Sequence, residues 1–116
     1  MIDLKKISKE HEKLFPKASA ESQLVKLVEE KKEVQEAYKQ YCKELADVLI
    51  VCAGIYRFNP KKAIEEVNAV YNICVLMDID IDDLEKEVNR KWQVNMKREW
   101  YWNGKTYKHV GKDGNE

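Results

Sequence analysis

The residues of this chain best placed to do chemistry are four carboxylates in two pairs, Glu30 with Glu33 and Glu44 with Asp47, each pair three residues apart. Three residues is close to one helical turn, so each pair, if helical, projects two carboxylates from a similar face. Carboxylates gathered around one point repel each other unless a cation sits between them. An all-oxygen donor set selects a hard ion, Mg²⁺ with Mn²⁺ able to substitute, over zinc. Asp47 is the charged residue in the apolar stretch from Leu45 to Tyr56. A carboxylate in such surroundings must be neutralised, ion-paired or bound to a metal.

The reach of these ligands constrains the chain. On one continuous helix the eleven residues from Glu33 to Glu44 span about 16 Å, too far for donors that must each approach a shared Mg²⁺ to about 2.1 Å. A four-carboxylate site in one chain therefore requires a turn, expected around Tyr38 to Lys43, although no Gly or Pro marks it. In the last helical segment Lys91, Asn95 and Arg98 fall within about 60° of arc, on the side of Leu84 and Val88. Cations and an amide next to a carboxylate-held metal suit a polyphosphate.

The run Leu27-Val28-Glu29-Glu30-Lys31-Lys32-Glu33-Val34, followed by Glu44-Leu45-Ala46-Asp47-Val48-Leu49-Ile50-Val51, resembles the EExxE and ExxD signature of MazG-like all-α nucleoside triphosphate pyrophosphohydrolases. Lys91, Asn95 and Arg98 match the Lys, Asn and Arg often found in that family's last helix, and the resemblance covers roughly residues 19–100. It implies Mg²⁺-dependent hydrolysis of a (deoxy)nucleoside triphosphate to the monophosphate and pyrophosphate, in nucleotide-pool house-cleaning. Glu30, Glu33, Glu44 and Asp47 would hold the metal, Glu33 would position or deprotonate the attacking water, and Lys91, Asn95 and Arg98 would bind substrate phosphate or nucleotide. Glu29 competes with Glu30 as first ligand; the ExxE spacing favours Glu30. The interval between the two acidic pairs is shorter than usual for the family. Dimeric dUTPases and phosphoribosyl-ATP pyrophosphohydrolases are neighbours, the latter disfavoured because Val48-Leu49 stands where Tyr-His usually follows its Asp. From a different class, the alternative is a non-catalytic helical dimer that binds nucleotide or a protein partner, its carboxylates merely ion-paired.

Other candidates have ordinary explanations. Asp78, Asp80, Asp82 and Asp83 resemble a calcium loop, but Asp83 stands where such a loop needs Gly and Asn89 where it needs Glu, so helix capping is expected. His11 and His109 lack ligand partners at metal-site spacing. Trp92, Trp100 and Trp102 could stack on a nucleobase, though packing between subunits is the commoner use of such rings. Gln23 and Lys26 could touch substrate or simply face solvent.

The elements that must position these residues are helices. The 116 residues are 44% hydrophobic and 36% charged with four Gly and two Pro, a composition rich in helix formers and poor in turn residues. Helices are expected from about Asp3 to Phe15, from Ser19 past Val34, from Lys43 to Arg57, from Pro60 to Met77 behind an Asn59 cap, and from Asp82 to Trp102. This gives an all-α bundle of four to five helices as one domain over residues 1–102, with a polar tail over 103–116. The helix from Lys43 is apolar on every side, and one short chain can hardly enclose it. Homo-oligomerisation is therefore expected to complete the bundle, as a homodimer or dimer of dimers. Lys plus Arg and Asp plus Glu both total 21, so nothing favours nucleic acid or an anionic membrane as partner. Cys42, Cys52 and Cys74 have no CxxC spacing and read as reduced core residues. With no signal-like apolar stretch in residues 1–6 and no run of membrane-spanning length, a cytoplasmic location is expected.

Overall fold

A computed structural model of the chain describes residues 2–111. Among these the fold is all-α apart from one short ribbon, and it divides into two compact units, residues 1–37 and 38–116.

In the first unit, α1 (Leu4–Leu14) begins at Asp3, whose carboxylate accepts from the Lys6 N–H at 3.0 Å. The start of α2 (Ala20–Tyr56) is fixed by two serines that cap reciprocally. The Ser22 N–H donates to Ser19 Oγ at 3.0 Å and the Ser19 N–H to Ser22 Oγ at 2.9 Å, satisfying donors that a helix start leaves open. The second unit holds the rest of α2 from Tyr38, followed by α3 (Pro60–Leu76), α4 (Ile81–Lys97) and strands β1 (Trp100–Trp102) and β2 (Tyr107–His109). Asn59 caps α3 through its side chain, with Pro60 at the first helical position as the sequence predicts.

The aspartate-rich break builds the corner between α3 and α4. Asp78 takes the left-handed conformation at φ 52°, the Ile79 N–H reaches back to the Cys74 carbonyl at 2.8 Å, and buried Ile79 closes over the helix end. This is the hydrogen-bond pattern of a Schellman stop. Asp80 then caps α4 by accepting from the Asp83 N–H at 3.1 Å. Tyr38 on α2 ties into this corner: its hydroxyl accepts from the Asp80 N–H and donates to Asp83 Oδ2, both at 3.2 Å. Of the aspartates expected to cap, Asp80 does so through its side chain.

The core of the second unit joins Cys42, Leu45 and Ala46 of α2 to Val70 and Cys74 of α3, Ile79 of the corner and Leu84 of α4. All three cysteines are buried and free. Burial pushes each thiol pKa above its ordinary value. Thiol reagents at pH 7 to 8 are therefore expected to leave the native protein untouched and to label three cysteines once it unfolds. The folded state holds these protons more tightly than the unfolded one. The corresponding stability is complete below about pH 8.5 and is lost as pH rises through the folded pKa, which a urea midpoint series across alkaline pH would follow.

Two expectations need correction. The turn between Tyr38 and Lys43 is absent: Ala20–Tyr56 is one helix of 37 residues, so the two helices expected on either side of that turn are one and the described residues hold four helices. Its middle, Gln35 to Lys43, contains no Gly, Pro or capping residue, and nothing there favours leaving the helix. At the other end, α4 stops at Lys97, and Trp100–Trp102, expected to close the last helix, pairs antiparallel with Tyr107–His109 of the expected polar tail. Alternating aromatic residues explain this: Trp100 faces His109 and Trp102 faces Tyr107, with ring centroids 5.8 and 5.3 Å apart. Asn103 forms the turn by accepting from the Lys105 and Thr106 N–H groups, and Gly104 takes φ +93°. Residues 112–116 of the expected tail lie outside the described residues. No helix of the described residues is long and apolar enough to cross a membrane.

Candidate functional site

The unbroken α2 decides what becomes of the two acidic pairs. Glu30 and Glu33 lie exposed on the part of α2 within the first unit, where Lys26 Nζ stands 3.7 Å from Glu30 and 3.6 Å from Glu29. Gln23 is engaged by the His11 ring at 3.1 Å. Glu44 and Asp47 lie on the part of α2 within the second unit. Because the turn is not made, Glu33 and Glu44 are separated by eleven residues of one unbroken helix. Among the described residues no group of three or more His, Cys, Asp or Glu side chains could hold a metal ion.

Glu44 and Asp47 nevertheless stand together on the wall of an open cavity of about 390 Å³, completed by Val48, Lys62 and Glu66. Glu44 accepts a hydrogen bond from the Gln40 side-chain amide at 2.9 Å, one turn earlier on α2. Lys62 and Glu66, one turn apart on α3, pair at 2.9 Å, and the Glu66 carboxylate raises the Lys62 pKa. Nothing in the sequence singles out Lys62 and Glu66. The run Lys61-Lys62 with Glu65-Glu66 has the pattern of any solvated helix face.

Of the three residues expected on substrate, Lys91 has the most distinct environment. Its ammonium donates to Asp47 Oδ2 at 2.8 Å, and its side chain is 4% exposed against 49% for that of Asp47. Lys91 thus reaches Asp47 from inside the unit, whereas the sequence points it at phosphate. Asp47, expected to be the carboxylate with least access to solvent, is half open to it. Asn95 and Arg98 bond to one another, Arg98 Nη1 donating to Asn95 Oδ1 at 3.2 Å. Arg98 is already the residue that ends α4. All three side chains thus have protein partners.

Chemically, the arrangement is a pair of oxygen donors one turn apart, one of them steadied by a buried ammonium, at the edge of an open hollow. Mg²⁺ is commonly held by one or two carboxylates together with substrate phosphates rather than by a full protein cage, and Glu44 with Asp47 fits that limited donor set. No protein-family model, curated protein or solved structure matches this chain.

Proposed function

We propose that this protein is a Mg²⁺-dependent nucleoside triphosphate pyrophosphohydrolase that works as a homodimer, or a dimer of dimers, with its carboxylates contributed by two copies. The observation that carries this reading is Asp47: half-exposed beside Glu44 on a cavity wall, its carboxylate is gripped from inside by buried Lys91 at 2.8 Å. A buried cation that steadies a carboxylate without covering it leaves that carboxylate open to a ligand.

The unbroken helix suggests how the remaining donors arrive. Glu33 and Glu44 lie equally far on either side of the point between Tyr38 and Lys39, and so do Glu30 and Asp47. Two α2 helices running antiparallel across a two-fold axis at that point would set Glu33 beside the partner's Glu44 and Glu30 beside the partner's Asp47. One symmetry operation matches both pairs and produces two equivalent sites. Apolar side chains left exposed on α2, among them Val28 at 67% and Val34 at 68%, need cover of the kind a second copy would give.

In this reading Glu44 and Asp47 bind the metal-triphosphate complex, and Glu33 of the partner subunit orients or deprotonates the attacking water. Lys91 acts through Asp47 as a positioning residue, while Asn95 and Arg98 are the groups for the nucleotide. Bound Mg²⁺ would supply charge neutralisation on the phosphate oxygens. Incubation with a panel of triphosphates and Mg²⁺ is expected to release pyrophosphate, not orthophosphate, together with the monophosphate. Absence of pyrophosphate across the panel would refute the reading. A second reading rests on the same ion pair: the Lys91–Asp47 contact also satisfies the notion of a non-catalytic helical dimer that binds nucleotide or a protein. Nucleotide binding without turnover would favour it.

A further inference from the structure

The ribbon β1–β2 forms one wall of a second open cavity, of about 810 Å³, within the range of small-molecule sites. Its walls carry Phe58, Trp92, Trp100, Trp102 and Tyr107. Every tryptophan of the chain is among them. The rings are held in place but left open. Trp100 Nε1 donates to the Asn95 carbonyl at 2.8 Å, and Trp102 stands edge-on to Tyr107, yet Trp102 remains 58% exposed and Tyr107 65%. Arg57, 4.9 Å above the Phe58 ring, and Lys105 on the ribbon turn give the cavity two cations, and its described lining includes no carboxylate. Val51 and Ile55 belong to this cavity and also to the one that holds Glu44 and Asp47, so the two hollows adjoin.

We propose that this aromatic cavity is the nucleobase site of the molecule, with the base stacked on the Trp102 and Tyr107 rings and the phosphates extending past Val51 and Ile55 toward Glu44 and Asp47. The inference rests on the triphosphate reading for the direction of the phosphates, but the stacking can be tested without turnover. The occupant follows from charge and ring chemistry. A cationic hollow with several open aromatic faces complements a flat, anionic molecule, whereas a second copy of this chain brings no net charge of its own. Stacking accepts any π-face, so purines and pyrimidines should both enter, with the larger purines bound more tightly.

Because every tryptophan lines this cavity, intrinsic fluorescence reports on it directly. Titration with AMP and CMP, without metal, is expected to quench the emission saturably, and inorganic pyrophosphate is expected to leave it unchanged. Trp102→Ala, on an exposed ring, should weaken AMP binding roughly ten- to a hundred-fold, with Trp102→Phe recovering most of it. Quenching by AMP with no pyrophosphate released in any assay would sink the hydrolytic reading and keep the base site. Pyrophosphate release with a KM unmoved by Trp102→Ala would do the reverse. Equal quenching by pyrophosphate would overturn the base site, as would a Trp102→Ala protein that dissociates into monomers while its AMP affinity is unchanged; in the latter case the aromatic face is an interface between copies.

Discussion

Glu33→Gln and Asp47→Asn, each inactive as a pure protein, are expected to recover about a quarter of wild-type hydrolysis when mixed in equal amounts and allowed to exchange subunits. In the proposed dimer a complete set of carboxylates draws on two copies, because Glu33 and Glu44 are separated by eleven residues of the unbroken α2, Ala20–Tyr56. In a mixed dimer one site collects both substitutions and the other collects neither. Half the dimers are mixed and half the sites in each are intact. Either variant alone should lose at least about a hundredfold in rate, since removing a group that holds or addresses the metal costs more than removing its outer support. Failure of the mixture to exceed its components, after exchange has been verified by mass labelling, would show that each copy carries its own site. It would then follow that α2 bends in solution.

The second large effect is an asymmetry between the two ends of one ion pair. Asp47→Asn leaves the ammonium of Lys91, a residue only 3% exposed, without the carboxylate that accepts from it at 2.8 Å. The expected cost is about 2 kcal/mol, less than for a fully buried pair because Asp47 is half open and water can approach. The melting temperature should fall by roughly 5 to 10 °C. Lys91→Met removes the buried charge and leaves Asp47 where water can solvate it, so stability should change by about 1 kcal/mol or less. Both variants should lose hydrolysis, Asp47→Asn by loss of a donor and Lys91→Met by loss of the grip that orients it. Thermal melts in EDTA read the difference. Equal destabilisation by both, or a more stable Asp47→Asn protein, would contradict the pair as described; the latter is what repulsion among four clustered carboxylates would have produced.

The signals the sequence carries are local ones. Ser19, Asn59, Pro60 and the aspartates from Asp78 to Asp83 mark helix ends because a cap bonds to a backbone N–H within the next turn, and each of these ends is where the residues put it. Val70 and Cys74 could be assigned to a core from helical spacing, since periodicity fixes which face a residue occupies, whereas Leu45 stands on a helix apolar on every side. The pairs Glu30 with Glu33 and Glu44 with Asp47 were legible for the same reason. The cross-strand pairing of Trp100 to Trp102 with Tyr107 to His109 is not legible in the sequence because glycines and polar residues obscure a ribbon only three residues long on each side.

What local pattern could not supply was direction over longer distances. Four ligands on one metal need a turn between Tyr38 and Lys43, whereas the backbone there has no residue that disfavours helix, and propensity prevails over the requirement of the site. Lys91 shows the same limit from the other side. Its sequence position places it on a face with Asn95 and Arg98, but only the packing of α4 against α2 determines that its ammonium ends at Asp47 Oδ2. Residue type and spacing, in short-range contact with the backbone, set the helices, their caps and the acidic pairs. Which carboxylate meets which cation depends on how the helices pack, because charges act through space and distances between elements are set by tertiary contacts.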